Sequence, residues 1–193
     1  MRTRRMLKAY YLRFRPTANI DYCKLLSFYD IAEYNIEKKC FDTIGYVSAN
    51  KLAERLNISS STINRIFSSP DYQEFMSVDK DNKKITLHNY FPKGTKDSFV
   101  RLSADEVKLI RDKDDNLFTK YLIYIKYYCG YTKDNKTDFT AKQFLSACGY
   151  STNSKNYLNR LNDYNKELVR LGLLKIESWR DDLGHTRNNY FYI

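Results

Sequence analysis

Ser59, Ser60, Ser61, Thr62, Asn64 and Arg65 are small, polar or cationic side chains packed into seven positions. Hydroxyls, an amide and a guanidinium can donate to and accept from base edges in a DNA major groove and can hold phosphate oxygens. Around them, Leu52, Ala53, Leu56, Ile58, Ile63 and Ile66 recur at the spacing of two short helices that bury one face each and cross at a tight turn. The segment 49–68 therefore reads as a helix-turn-helix whose second helix, about 60–67, turns its polar face outward.

The elements that must position this helix follow from capping and periodicity. Ser48 suits the N-cap of a helix over Ala49–Leu56. Ser68-Ser69-Pro70 ends the second helix. Upstream, 8–15 reads as a short strand or ordered arm, and 21–37 as a helix with Tyr22, Leu25, Leu26, Tyr29, Ala32 and Ile36 on one stripe. Gly45-Tyr46-Val47 reads as a strand. Downstream, 74–78 and 85–90 flank Asp79-Lys80-Asp81-Asn82-Lys83-Lys84, whose Asp and Asn residues suit a tight reversal, so a β-hairpin follows. Lys80, Lys83 and Lys84 sit at its tip, where they can reach phosphates.

Residues 91–96 (Phe-Pro-Lys-Gly-Thr-Lys) supply the breakers of a domain boundary, giving domains 1–97 and 98–193. The second half repeats the order of the first. Ser103 caps a helix opening on Ala104-Asp105-Glu106, and 117–131 is a long apolar helix that must be core. Asp138-Phe139 is a brief strand, Thr140 caps 141–148, and 155–171 is a helix ended by Gly172. Strands over 173–179 and 187–193 close a second hairpin through Asp182-Leu183-Gly184-His185. The second turn, 150–154, reads about two residues longer than the first.

A helix, a strand, a helix-turn-helix and a hairpin in that order resemble the winged helix-turn-helix superfamily, here as two domains in tandem. Tandem winged helices of this size look like plasmid or phage replication initiators and some bacterial transcription regulators. The resemblance implies a mainly α (α+β) protein in which Ser59–Thr62, Asn64 and Arg65 face the major groove and the wing lysines touch phosphates. In the second domain the matching positions are Ser151, Asn153, Lys155, Asn156, Asn159 and Arg160, with wing residues Arg180, His185 and Arg187. Asn156, Asn159 and Arg160 lie away from the Leu158/Leu161/Tyr164 stripe and are expected at the surface.

Charge agrees with a polyanionic partner. The net charge is +10, with 17 basic against 11 acidic residues in 1–97 and 16 against 12 in 98–193, so neither half is a neutral passenger. Arg2, Arg4 and Arg5 could enter a minor groove as an arm, although termini more often fray. The expected partner is double-stranded DNA bound with sequence preference, with a homodimer possible through the 155–171 helix or the 117–131 helix. The alternative is a winged-helix adaptor or dimerisation module within a nucleoprotein complex. An adaptor should carry apolar residues on the outer face of its recognition helix, where this chain has Ser, Thr, Asn and Arg.

An enzyme is not expected. His88 and His185 stand alone, no glycine-rich phosphate loop precedes Gly94-Thr95-Lys96, and no nucleophile elbow occurs. The pair Asp114-Asp115 lies in a charged stretch and reads as solvated. Cys23, Cys40, Cys129 and Cys148 lack metal-ligand spacing and read as reduced core residues. No metal, cofactor or small-molecule ligand is expected. No apolar run is long enough to span a bilayer and no apolar stretch follows the basic start, so the expected location is the cytoplasm. The 18 Tyr fall mostly within apolar runs and read as half-buried core residues.

Overall fold

The computed structural model of the chain describes residues 10–16, 19–35, 37, 40–88, 99–130 and 132–193. Helix accounts for 48% and strand for 24%, in eight helices and small antiparallel sheets among the described residues, so the fold is mixed rather than mainly helical. Two compact units form: the described residues of 1–13 and 19–114 make the first, and those of 14–18 and 115–193 the second.

The first unit opens with β1 (Tyr10–Arg13) and α1 (Tyr22–Ile31). Asp21 Oδ1 caps α1 by accepting from the N–H groups of Cys23 and Lys24, and its own N–H donates to the Tyr72 hydroxyl at 2.9 Å. Tyr22, Leu25, Leu26, Phe28 and Tyr29 are all buried, so α1 is the centre of this core. α1 is shorter than the helix expected over 21–37, and Ile36 of the expected stripe lies outside the described residues. Ala32 is extended, and Glu33–Asn35 forms strand β2, paired antiparallel with β3 (Cys40–Gly45) through a local irregularity at Glu33/Tyr34. Backbone pairing here overrides the helical period of the side chains.

Next come α2 (Ala49–Leu56) and α3 (Ser60–Ser68), on the expected segments. The expected strand at 45–47 lies earlier, as β3. Tyr46 N–H still donates to Lys83 O, and Ser48 then begins the cap of α2. Pro70 does more than stop α3: it starts the one-turn helix α4 (Pro70–Gln73), where its missing N–H is no loss. Strands β4 (Met76–Asp79) and β5 (Lys84–Leu87) form the expected hairpin, narrower than 74–78 and 85–90. Residues 89 and 90 lie outside the described residues. The sheet order is β2-β3-β5-β4.

Strand β6 (Phe99–Leu102) pairs antiparallel with β1, and α5 (Ala104–Lys113) follows under a capping box of Ser103 and Glu106. The guanidinium of Arg111 on α5 pairs with Asp30 of α1. These contacts explain why β6 and α5 belong with the first unit, although the sequence reading opens its second domain at residue 98. The breakers at 91–96 lie outside the described residues.

The second unit contains Phe14, α6 (Asn116–Gly130), β7 (Lys136–Asp138), α7 (Ala141–Ala147), α8 (Lys155–Arg170), β8 (Leu174–Arg180) and β9 (Thr186–Tyr192). The sheet order is β7-β9-β8. Residues Leu117 to Ile125 of α6 are all buried, including Thr119 and Lys120. The core is aromatic: Phe139 stacks on Tyr190 at 4.4 Å, and Tyr121 meets Phe144 edge-on at 5.0 Å. Tyr22, Tyr29, Tyr72, Tyr121, Tyr124, Tyr164 and Tyr190 are buried, as the apolar runs around them require. Among the described residues no helix is long and apolar enough to cross a membrane.

Candidate nucleic-acid interface

The α2–α3 pair is held by its caps and its apolar slots. Ser48 Oγ accepts from Lys51 N–H, and Leu52, Ala53 and Leu56 point inward. Asn57 ends α2 in the left-handed region (φ 54°), a conformation that Asn tolerates better than most residues. Ile58 N–H returns to Ala53 O at 3.0 Å, which closes the turn.

Ser59 then caps α3. Its Oγ accepts from Thr62 N–H at 3.2 Å and lies 2.9 Å from Ser61 Oγ and 2.8 Å from Thr62 Oγ1. Ile63 and Ile66 are buried on the inner face. The outer face therefore presents Ser61, Asn64 and Arg65, all exposed, while Ser60 and Thr62 are half-buried. Of the six residues read as groove-facing, Ser59 has its hydroxyl committed to the helix end. Arg65 makes no ion pair among the described residues.

The β4–β5 hairpin belongs to the same unit. Asp79 Oδ1 accepts from the N–H groups of Asp81 and Asn82, and Asn82 Nδ2 donates to Asp79 Oδ2 at 2.7 Å. Those bonds, Asn82's foremost, hold the Asp79 carboxyl below its ordinary pKa. Lys83 adopts φ 51° to complete the reversal. The tip exposes Lys80, Lys83 and Lys84 with Asp79 and Asp81. The three cations are in place, and two carboxylates temper them.

The second unit repeats the helix pair with a different join. The link between α7 and α8 spans 148–154, against 57–59 in the first unit, so it is longer than the two extra residues expected. Gly149 (φ 73°) makes the first bend, and Tyr150 N–H returns to Leu145 O at 2.8 Å. Ser154 caps α8 through Tyr157 N–H. Asn153, Lys155, Asn156 and Asn159 are exposed, as is Ser151.

Arg160 is half-buried, where the sequence reading places it at the open surface. Its Nη2 donates to Asp115 Oδ2 at 2.7 Å and its Nε to the Tyr164 hydroxyl at 3.0 Å, so it is anchored in its own unit. Asp115 is corrected with it, because it is not a solvated acid. Oδ1 caps α6 by accepting from Leu117 and Phe118 N–H, while Oδ2 also takes a short hydrogen bond from Tyr164. Burial opposes ionisation here, but the bonds from Tyr164, Arg160 and Phe118 outweigh it and lower the Asp115 pKa. Asp114, by contrast, is exposed and lies 3.4 Å from Lys24 Nζ. Periodicity missed the role of Asp115. The available signal was its place just ahead of an apolar helix, the position of an N-cap.

The second hairpin is likewise divided. Arg180 is exposed, whereas Arg187 Nε donates to Asp181 Oδ2 at 2.9 Å, and His185 Nδ1 lies 3.5 Å from the same atom. Arg187 is thus half tethered rather than free at a wing tip. The basic arm Arg2, Arg4 and Arg5 lies outside the described residues. Among the described residues no group of His, Cys, Asp and Glu is placed to hold a metal ion. Cys23, Cys129 and Cys148 are buried free thiols, and burial pushes Cys129 up to about 11 and Cys148 up to about 12. No protein family, curated protein or solved structure matches the chain.

Proposed function

We propose that the chain is a tandem winged-helix protein that binds double-stranded DNA with sequence preference, acting as a transcription regulator or as a plasmid or phage replication initiator. The observation that carries this reading is the outer face of α3: Ser61, Asn64 and Arg65 are exposed together on a capped helix whose other face is buried. The basic β4–β5 tip of the same unit supports it, because phosphate contacts set the register that base contacts then read. The +10 charge favours a polyanion, and the repeated helix–strand–helix–helix–hairpin order supplies a second module.

Arg65 is the base-reading residue in this proposal, with Asn64 and Ser61 beside it. Lys80, Lys83 and Lys84 anchor backbone. In the second unit Asn153, Lys155, Asn156, Asn159 and Arg180 remain available, while Arg160 and Arg187 serve mainly their own fold. Titration of the full chain with random and selected duplexes at several salt concentrations tests the reading. Affinity should fall steeply with salt, by close to one counterion per neutralised phosphate. Absence of binding, or a flat salt dependence, overturns it in favour of an adaptor. Repeated selected sites beside an AT-rich tract identify an initiator; a single palindrome over a promoter identifies a regulator.

A further inference from the structure

Sheet edges in this protein are mostly short. β2 and β7 have three residues and β4 has four, lengths that offer little template for pairing. β8 differs. It has seven residues, no proline, and an unbroken register from Leu174↔Tyr192 to Arg180↔Thr186. In the order β7-β9-β8 it lies at the edge, and no described strand pairs with its outer side.

The hydrogen-bond pattern shows which groups face outward. Leu173 O accepts from Ile193 N–H and Asp181 N–H donates to His185 O. Odd-numbered residues of β8 therefore bond to β9, and Leu174, Ile176, Ser178 and Arg180 turn their N–H and C=O groups to the open side. Lys175, Glu177 and Trp179 are exposed on one face, and Ile176 is half-buried on the other.

We propose that the open edge of β8 joins two copies of this chain, paired antiparallel about a two-fold axis at Ile176. Charge selects that register. Lys175 and Glu177 already pair within the strand at 2.7 Å; with the axis at Ile176, Lys175 of each copy also faces Glu177 of the other, so the four charges alternate in sign across the seam. Moving the axis one residue either way sets Glu177 against Glu177 or Lys175 against Lys175, and like charges directly opposite are unfavourable. In the favoured register Trp179, 44% exposed, lies opposite Leu173 of the second copy. Ile176 meets its own counterpart on the core-facing side. The product is a continuous six-stranded antiparallel sheet with an isologous interface. Leu117–Ile125 of α6 are already buried, so that stretch needs no second copy to cover it.

The test is the solution mass of the full chain by sedimentation equilibrium without DNA, so its outcome is separable from the DNA-binding proposal. The wild-type chain should be a dimer at micromolar concentration. Lys175→Glu and Glu177→Lys, taken singly, should each raise the dimer dissociation constant by about tenfold or more. The charge-swapped double variant should restore the dimer. An independent arm is Ile176→Cys, which should cross-link to itself on mild oxidation, because directly paired strand residues lie within disulfide reach. A wild-type monomer, single variants that stay as dimeric as the wild type, or a folded double variant that stays monomeric each overturn the proposal. Should a single variant fail to fold by circular dichroism, the Ile176→Cys result decides, and lack of cross-linking overturns it.

Discussion

Helices α3 and α8 start alike. Each follows a serine cap, Ser59 or Ser154, and each carries Asn then Arg at its fifth and sixth positions: Asn64-Arg65 and Asn159-Arg160. The apolar slots also correspond, with Ile63 and Ile66 matched by Leu158 and Leu161. Yet Arg65 is exposed without an ion pair among the described residues, while Arg160 is held by Asp115 and Tyr164. The difference comes from outside the shared pattern. α8 runs to Arg170 and places Tyr164 one turn beyond Arg160, and Asp115 arrives from 45 residues earlier in the chain. α3 stops at Ser68; in that unit the corresponding helix cap, Asp21, meets the Tyr72 hydroxyl of α4 through its backbone N–H, and no ion pair ties Arg65 to it among the described residues. The same dipeptide thus leaves its arginine exposed in one unit and holds it in an ion pair in the other.

The largest expected effect follows from removing the tie. Asp115→Ala should destabilise the second unit by about 1.5–3 kcal/mol, the range for hydrogen bonds to a charged group, with the first unit unaffected. Urea unfolding followed by the fluorescence of Trp179, the single Trp, reports on that unit. An unchanged unfolding transition overturns the assignment of Asp115 as a tie.

Arg65→Ala and Arg160→Ala test the same contrast on DNA. Arg65→Ala should cost roughly 1–3 kcal/mol on a selected duplex and relax its sequence preference. Arg160→Ala should instead lower stability and leave affinity for the same duplex largely unchanged. Equal losses of affinity would sink the assignment of the two arginines to different roles.

The hairpins give a smaller effect with a different signature. Lys83→Ala with Lys84→Ala should weaken all duplexes alike and reduce the salt slope by about two. Arg187→Ala should change the slope less, because Asp181 already neutralises that guanidinium. Salt titrations of both variants measure this directly.

The smallest expected effect is a matched pair and a pH signature. Ser59→Ala and Ser154→Ala should each cost about 1 kcal/mol, the usual value for losing an N-cap, since both hydroxyls do the same work. The folded-state pKa of Asp115 lies below its unfolded value, so its contribution is present above the ordinary carboxylate range. It fades as pH falls through the depressed value. Acid titration of stability should therefore lose this component in Asp115→Asn.

What could be read along the chain was what depends on near neighbours. Ser48, Ser103 and Thr140 each cap the helix expected after them, within three residues of themselves. The bounds of α2 and α3, and the hairpin around Asp79 and Asn82, follow from equally local bonds. Such features are fixed by hydrogen bonds between residues close in sequence, so residue types at given spacings suffice to locate them. Tertiary structure decided the rest. The end of α1 at Ile31 depends on β2 finding β3, and β6 and α5 join the first unit because β1 and Asp30 meet them there. Asp115 and Arg160 read as solvated charges until folding brings them within 2.7 Å of each other. No periodicity encodes that meeting, because a salt bridge across 45 residues depends on how α6 and α8 pack rather than on any pattern within either helix.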